Sequence, residues 1–166
     1  MNESQPIPAA VRPVTEDDWA ALRTARLAAL AEAPYAFSST IAREQELSEG
    51  AWRARIRDSA TFAAWQGEVI VGTVTGLSRA DPSLWNLVAM WVSPDWRGTG
   101  IADDLVSAVC ERARTSGAVR IGLWVTDINA RARAFYGRLG FEPTGDRQLV
   151  RPDEPDHWET ELARSL

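Results

Sequence analysis

Cysteine and histidine are almost missing from this chain of 166 residues, which carries one of each. The single cysteine, Cys110, cannot close an internal disulfide, and His157 stands too far along the chain to complete a metal cluster with it. Cys110 also falls on an apolar stripe at helical spacing, where a buried and unreactive thiol is usual. The sequence therefore predicts no metal site and no cysteine nucleophile.

Long apolar runs and runs of basic residues are missing as well. No stretch approaches the length that crosses a bilayer, and the N-terminus has no basic region followed by an apolar run. The 18 basic and 23 acidic residues give a formal net charge of −5, which disfavours binding to nucleic acid phosphates. These absences predict a cytoplasmic protein that binds neither membranes nor nucleic acid.

The overall composition is ordinary for a globular protein, with 45% hydrophobic and 25% charged residues. The length is enough to bury one hydrophobic core, and no repeat or linker divides the chain. We therefore expect one domain over residues 1–166, with a flexible segment at residues 1–6.

A glycine pair behind an apolar strand is the most informative feature. Residues 87–92 are apolar, and Gly98 and Gly100 stand directly before a predicted helix. The free NH groups and positive dipole end of such a helix favour anions, and glycines let a phosphate approach the backbone. Arg97 adds a positive charge beside them. The loop therefore predicts a phosphate-binding backbone at residues 98–103.

Two common phosphate-binding loops do not match this stretch. The nucleotide triphosphatase pattern needs a lysine after the glycines, and none follows them. The dinucleotide fingerprint G-x-G-x-x-G would need a glycine where the chain has Asp103. A nucleotide-binding regulatory domain is therefore a poor alternative.

Two other motifs do match. Arg97, Gly100 and Ala102 fill the pattern R-x-x-G-x-A. The pattern N-x-x-A-x-x-F-Y-x-x-L-G-F is filled by Asn129, Ala132, Phe135, Tyr136, Leu139, Gly140 and Phe141. With both motifs present in this order, the chain resembles the GNAT superfamily of N-acetyltransferases.

The resemblance implies an α/β (α+β) acyl-CoA N-acyltransferase fold. Such a fold has a mixed, mostly antiparallel sheet of about seven strands flanked by about four helices, in the order β-α-α-β-β-β-α-β-α-β-β. In that family the two central parallel strands splay apart and the acyl-CoA enters the gap. Hydrophobic periodicity and turn residues indicate the same order independently. They predict strands near residues 7–14, 61–65, 69–77, 87–92, 119–126, 143–150 and 157–163, and helices near 16–33, 49–58, 101–116 and 129–139.

The resemblance also implies that acetyl-CoA (coenzyme A) is the cofactor and that an amine attacks it directly in a ternary complex. The backbone NH near Met90 would hold the oxyanion, and Tyr136 would protonate the departing thiolate. The alternatives are a helix N-cap for Asn129 and a core aromatic for Tyr136. The predicted cofactor-binding residues are Met90, Trp91, Val92, Arg97, Gly98, Thr99, Gly100, Ile101, Ala102, Asp103, Asn129, Ala132 and Tyr136.

The acceptor site is less well marked, and no general base stands out. Some family members carry a carboxylate where this chain has Asn86, so Glu44 and Glu46 are considered as base or ammonium anchor. Their alternative is a solvated helix flank. The candidate substrate residues are Phe37, Glu44, Glu46, Asn86, Trp91 and Trp124.

Strand alternation bears on the two tryptophans. Barring a bulge, it predicts one side of the central strand formed by Trp85, Leu87, Ala89 and Trp91, and the other by Asn86, Val88, Met90 and Val92. Trp91 and Trp124 lie on the strands that flank the predicted cleft, so either ring is a candidate wall of the acceptor pocket.

The sequence thus predicts an N-acetyltransferase that acts on a small-molecule primary amine. Alternatives are a protein acetyltransferase acting on an N-terminus or lysine, and a module that binds acyl-CoA without turnover. The acceptor, the acyl length, the base and the formation of a homodimer are left open.

Overall fold

The computed structural model describes residues 8–166. The segment predicted to be flexible at residues 1–6, and the first residue of the strand predicted at 7–14, lie outside the described residues. The strands are β1 (Ala10–Pro13), β2 (Ala60–Gln66), β3 (Val69–Ser78), β4 (Leu84–Val92), β5 (Arg120–Thr126), β6 (Glu142–Leu149) and β7 (Trp158–Ser165). The helices are α1 (Trp19–Glu32), α2 (Ile41–Gln45), α3 (Glu49–Arg57), α4 (Ile101–Thr115) and α5 (Ala130–Arg138).

The seven strands form one sheet in the order β1-β2-β3-β4-β5-β7-β6. Within residues 8–166, only β4 and β5 pair in parallel, because α4 crosses over between them, and every other neighbouring pair is antiparallel. The predicted fold class, the number of strands and their order along the chain relative to the longer helices are confirmed. No helix within residues 8–166 is long and apolar enough to cross a membrane.

The helix starts follow local capping signals. Asp18 accepts a hydrogen bond from the backbone of Thr15 (2.8 Å), and a single 3-10 turn there leads into α1. Ser48 caps α3 by accepting from the NH of Ala51 at 3.2 Å. These signals lie within four residues of the helix they start, which is why the sequence predicted both helices.

Helix α2 is a correction to the prediction of about four helices. No pattern in the sequence predicted a regular element in this segment, whereas Thr40 caps a short helix by accepting from the NH of Arg43 at 3.3 Å. Glu44 on this helix is buried. It forms ion pairs with Arg26 of α1 and Arg55 of α3. The neighbouring helices therefore stabilise a helix too short to be predicted from its own periodicity.

Helices cover both faces of the sheet. On one face, α4 packs mainly across β2 and β3, where Leu105 and Val109 lie against Gly72 and Gly76 of β3. On the other face, α1 and α3 pack Leu30 and the fully buried Trp52 against β2 and β3. The space between α1, α3 and the later strands stays partly open, and one of the cavities described below lies there.

The central parallel strands separate soon after they meet. They pair at only three positions, the last being Asn86 with Gly122, although β4 continues to Val92 and β5 to Thr126. The cause in β4 is a bulge, since its register with β3 shifts and Ala89 adopts a left-handed backbone (φ 54°). The expected splay between the two strands is therefore present.

Because of the bulge, some side chains of β4 lie on the opposite face of the sheet from the one predicted. Trp85 and Leu87 pack in the cluster beneath α4, and so does Val92, whereas Trp91 packs in the cluster beneath α1. Simple alternation put Trp91 on the side of Trp85 and Val92 on the opposite side, which is wrong. One extra residue in the strand inverts the alternation for everything that follows it.

Candidate active site

The glycine loop lies at the start of α4, as its spacing predicted. Gly98 (φ 78°) and Gly100 (φ 89°) both have left-handed backbone, which residues with a Cβ adopt at a cost. A Cβ built at either position would meet no atom of residues 8–166 within 4 Å, so the loop is open on that side of the described structure. The first turn of α4 therefore has free backbone NH groups beside open space, a typical anion site.

A first cavity of about 340 Å³ lies between this loop, the end of β4 and helix α5. Most of the residues predicted to bind the cofactor line it, namely Met90, Trp91, Val92, Arg97, Gly98, Gly100, Ala102, Asp103, Asn129, Ala132 and Tyr136. Two predicted residues do not. The Thr99 hydroxyl donates to the carbonyl of Trp96 at 2.6 Å, and Ile101 is buried in the core.

Arg97 is held by partners of its own. Its Nη2 donates to Oε2 of Glu32 at 2.7 Å, and its Nε donates to the carbonyl of Val92 at 3.0 Å. Trp91 donates from Nε1 to the same carboxylate oxygen at 3.1 Å. The hydrogen bond from Arg97 lowers the pKa of Glu32. Glu32, which the sequence analysis missed because no motif marks it, therefore ties the loop to the end of α1.

Asp103 is likewise paired within the cavity wall. Arg138 of α5 donates to both of its carboxylate oxygens, at 2.8 and 3.3 Å, and this bond lowers the pKa of Asp103. Arg131 lines the cavity as well. The charged side chains of the wall are thus three arginines, including Arg97, and one neutralised carboxylate, which suits an anionic ligand. Arg131 and Arg138 were not among the predicted residues.

Tyr136 is buried and lines the first cavity. Its ring makes edge contacts with Phe135 and Phe141, with centroids 5.1 and 5.6 Å apart. Burial raises its pKa, and its hydroxyl makes no hydrogen bond to the described residues. A phenol in this environment stays protonated near neutral pH and has a proton to donate.

Asn129 starts the helix that carries Tyr136. Its Oδ1 accepts from the NH of Ala132 at 3.1 Å, so it is the N-cap of α5. Asn129 also lines the first cavity. Asn129 therefore acts as a helix cap, and its contact with the cofactor stays a prediction.

A second cavity of about 580 Å³ lies on the face of the sheet covered by α1 and α3. The two cavities adjoin at Ala36 and Phe37, which line both. Trp124 of β5 and Ala89 of β4, from the two separated strands, also line the second cavity. The gap between β4 and β5 therefore lies beside the junction of the two cavities.

The structure separates the predicted substrate residues. Phe37, Glu44 and Trp124 line the second cavity, whereas Trp91 lines the first. The remaining two, Glu46 and Asn86, line neither cavity. Glu46 is exposed at the end of α2. Asn86 lies where β4 still pairs with β5, and its Oδ1 accepts from Nε of Arg79 at 2.7 Å.

Glu44 is engaged by two cations. Its Oε2 accepts from Nη1 of Arg55 at 2.7 Å, and its Oε1 lies 3.5 Å from Nε of Arg26. Burial alone would raise the pKa of Glu44, but the hydrogen bonds from Arg55 and Ser39 and the two positive charges outweigh it and lower the pKa. A carboxylate with a lowered pKa is a weak base, so the environment of Glu44 favours a structural role.

A carboxylate that the sequence analysis missed also lines the second cavity. Glu159, near the start of β7, accepts a hydrogen bond at Oε1 from Nε2 of Gln148 at 2.7 Å. Burial raises its pKa, against smaller opposite effects of Gln148 and His157. No motif covers this part of the chain. Among residues 8–166, no group of histidine, cysteine and carboxylate side chains is arranged to hold a metal ion.

Comparison with known protein families gives one matching model. The model described as the acetyltransferase (GNAT) family matches residues 24–141. This range includes the glycine loop and both motifs.

Similar curated proteins are acetyltransferases. Mycothiol acetyltransferase of Corynebacterium glutamicum (strain R) is 30% identical over 122 residues, covering 68% of this chain and 41% of that protein. Human N-acetyltransferase 8B is 36% identical over 91 residues, covering 52% of this chain and 40% of that protein. The chain thus spans about two fifths of the length of these relatives.

Solved structures share the fold over nearly the whole chain. A GNAT acetyltransferase of Streptococcus pneumoniae has a TM-score of 0.79 at 19% identity, covering 95% of this chain and 99% of that one. The yncA protein of Salmonella typhimurium, solved with acetyl-CoA, has a TM-score of 0.77 at 18% identity, covering 96% and 95%. The paia N-acetyltransferase of Thermoplasma acidophilum, in complex with coenzyme A, has a TM-score of 0.73 at 12% identity, covering 96% and 100%.

Proposed function

The chain belongs to the acetyltransferase (GNAT) family, and on that premise we propose that it transfers an acetyl group from acetyl-CoA to a primary amine of a small molecule. The observation that carries this proposal is the meeting of two cavities at Ala36 and Phe37, beside the gap between β4 and β5. A thioester held in one cavity and an amine held in the other can react directly. The reaction therefore needs no acyl-enzyme.

The first cavity suits the parts of coenzyme A. The backbone at Gly98 and Gly100 carries no side chain, and Arg131 and Arg138 line the same cavity. This part of the cavity therefore fits a pyrophosphate. The end of β4, which no longer pairs with β5 after Asn86, has backbone groups free to bond the amides of a pantetheine arm. Acetyl-CoA would supply the activated thioester. Two proteins of the same fold, yncA and paia, were solved with acetyl-CoA and coenzyme A, which supports this assignment.

Two residues would act on the reacting atoms. The backbone NH of Met90, beyond the bulge, would donate to the thioester carbonyl oxygen as negative charge develops there. As the amine nitrogen bonds to the carbonyl carbon, the C–S bond breaks and Tyr136 protonates the sulfur. The nitrogen gives up a proton as the amide forms, which restores the phenol. The raised pKa of Tyr136 keeps its hydroxyl protonated before transfer.

The second cavity favours a small acceptor. About 580 Å³ is an ordinary volume for a small-molecule site, and Trp124 and Phe37 provide aromatic walls. A lysine side chain or a protein N-terminus is the alternative acceptor, and a module that binds acyl-CoA without turnover is the alternative function. The thiol-release assay described next distinguishes both alternatives from transfer to a small amine.

The test is release of coenzyme A thiol from acetyl-CoA with a panel of small primary amines and lysine peptides, comparing wild type with Tyr136→Phe. We expect release that depends on a small amine and falls at least tenfold in the variant, while calorimetry gives the same affinity for coenzyme A. Release with peptides alone would replace the small-molecule acceptor by a protein. Tight binding of acetyl-CoA without release for any acceptor would favour the binding module.

A further inference from the structure

Among the described residues, three carboxylates line the second cavity, and they differ in their partners. Glu44 is held between two arginines, as described above. Asp58 is 72% exposed and lies 3.6 Å from Nε of Arg57. Glu159 forms no ion pair within residues 8–166 and has only the neutral amide of Gln148 as a hydrogen-bond partner. Glu159 is therefore the carboxylate in this wall whose charge remains available to a ligand.

The sheet register brings Glu159 close to an aromatic ring. On antiparallel β5 and β7, Thr126 stands opposite Glu159 and Trp124 stands opposite Glu161. Opposed residues share a face of the sheet, so Trp124 and Glu159 are diagonal neighbours on one face. Both line the second cavity, and each is partly exposed. A carboxylate beside an aromatic face is a typical arrangement for binding an alkylammonium group.

We propose that Glu159 and Trp124 form the binding site for the ammonium group of the acceptor, and that Glu159 accepts its proton. The binding site depends only on the second cavity, whereas the proton step also rests on the proposed transfer reaction. The acceptor class is a primary amine that is protonated in solution and binds as the ammonium ion.

The proton transfer balances with the reaction described above. The ammonium gives one proton to the Glu159 carboxylate, and the neutral nitrogen then attacks the thioester carbon. The protonated Glu159 returns that proton to water after the product leaves. Burial raises the pKa of Glu159, which makes its carboxylate a stronger base than an exposed one.

Other charged side chains contribute to the electrostatic potential around Glu159. His157, just before β7, lowers its pKa. Across the cavity stand Arg26, Arg55, Glu44 and Asp58, two cations and two anions. The opposite wall therefore contributes little net charge, and the unpaired carboxylate of Glu159 makes the cavity attractive to a cation.

Binding is measured first, with the full chain saturated with coenzyme A so that no transfer occurs. Calorimetry compares benzylammonium with benzyl alcohol, its neutral counterpart, for wild type, Glu159→Gln, Trp124→Leu and the control Glu142→Gln. Glu142 is an exposed carboxylate on the adjacent strand β6. We expect wild type and the control to prefer the ammonium at least tenfold, and Glu159→Gln to lose that preference. Equal affinity for both probes in wild type, or an unchanged preference in Glu159→Gln, would overturn the proposal.

Turnover tests the proton step separately. For an amine that wild type acetylates, we expect Glu159→Gln to lower kcat/KM for the amine at least tenfold at pH 7 and to leave KM for acetyl-CoA unchanged. The deficit should shrink as pH approaches the pKa of the amine, because the acceptor then arrives neutral. A deficit that is constant with pH would remove the base role.

The two sets of results separate the two claims. If wild type acetylates no amine but shows the ammonium preference, the proposed function fails and the binding site remains. If transfer occurs at the wild-type rate in Glu159→Gln, the inference fails and the proposed function remains.

Discussion

Arg79 and Glu161 form an ion pair over Gly122, where β4 and β5 are still paired. Nη2 of Arg79 donates to Oε1 of Glu161, and a Cβ at Gly122 would lie 3.1 Å from that nitrogen and 3.2 Å from that oxygen. Arg79 follows β3, Gly122 is on β5 and Glu161 is on β7. The pair therefore joins strands on both sides of the splay, at its closed end.

Removing the arginine should destabilise the sheet. Arg79→Met leaves the nearly buried carboxylate of Glu161 without its cation, and we expect a loss of about 2–3 kcal/mol in the free energy of unfolding. The double variant Arg79→Met/Glu161→Gln should recover part of that loss, because a neutral amide can still bond Thr144. Urea denaturation measures both, and a double variant less stable than the single one would contradict the expectation.

The pH dependence of this pair has a defined sign. Burial would raise the pKa of Glu161, but hydrogen bonds from Arg79 and Thr144 outweigh it and lower the pKa. The stabilisation is therefore present above the unfolded pKa of a glutamate, about 4.3, and is lost as pH falls through the lower folded value. The stability difference between wild type and Arg79→Met should narrow in acid, and a constant difference down to pH 2 would contradict it.

The pair of Asp103 and Arg138 should control cofactor affinity. Arg138→Gln leaves the Asp103 carboxylate uncompensated beside the α4 N-terminus, where it repels phosphate, so we expect coenzyme A to bind at least fivefold more weakly. Asp103→Asn added to Arg138→Gln should restore most of the affinity. Calorimetry at low and high salt measures the effect, which should shrink as salt rises. Identical affinities for the single and double variants would exclude repulsion as the cause.

Substitutions of Ala89 test whether the bulge in β4 depends on the left-handed backbone of this residue. Its left-handed backbone disfavours a β-branched side chain, so Ala89→Val should destabilise the protein by about 2 kcal/mol or more and weaken coenzyme A binding as β4 rearranges. Ala89→Gly accepts the same backbone and should stay within about 1 kcal/mol of wild type. Thermal unfolding and calorimetry compare the two. A valine variant as stable as the glycine variant would mean that the bulge does not depend on this backbone conformation.

Glu44 should contribute to stability and not to proton transfer. Glu44→Gln leaves Arg26 and Arg55 without their shared anion, and we expect a loss of about 2–3 kcal/mol. Because the pKa of Glu44 is lowered, its contribution is lost only as pH falls below the normal range of a glutamate. The pH profile of kcat/KM in the variant should keep the wild-type shape. A shift near neutral pH in the kcat/KM profile of Glu44→Gln would instead indicate that Glu44 is the general base.

Features encoded by neighbouring residues were predictable. The glycine loop depends on Gly98 and Gly100 and on the helix that follows them, and the caps at Thr15 and Ser48 act within three or four residues. The strand, helix and strand around the loop make a parallel pair the expected outcome. These local signals, with the two motifs, were enough to predict the fold class and the family.

Side-chain partners distant in sequence were not predictable. Arg97 meets Glu32 across 65 positions, and Arg138 meets Asp103 across 35. No periodicity or motif in the chain marks such a partner.

The sequence by itself determined the order of the strands and of the longer helices, the glycine loop before α4 and the helix that carries Tyr136, because each depends on short-range patterns. Only the tertiary structure decided which face Trp91 occupies, which carboxylate remains unpaired in the second cavity and where the two cavities meet. The bulge at Ala89 inverts the alternation of β4, and the sheet register brings Glu159 beside Trp124. Both depend on pairing between separate strands, and that pairing sets which side chains can contact one ligand.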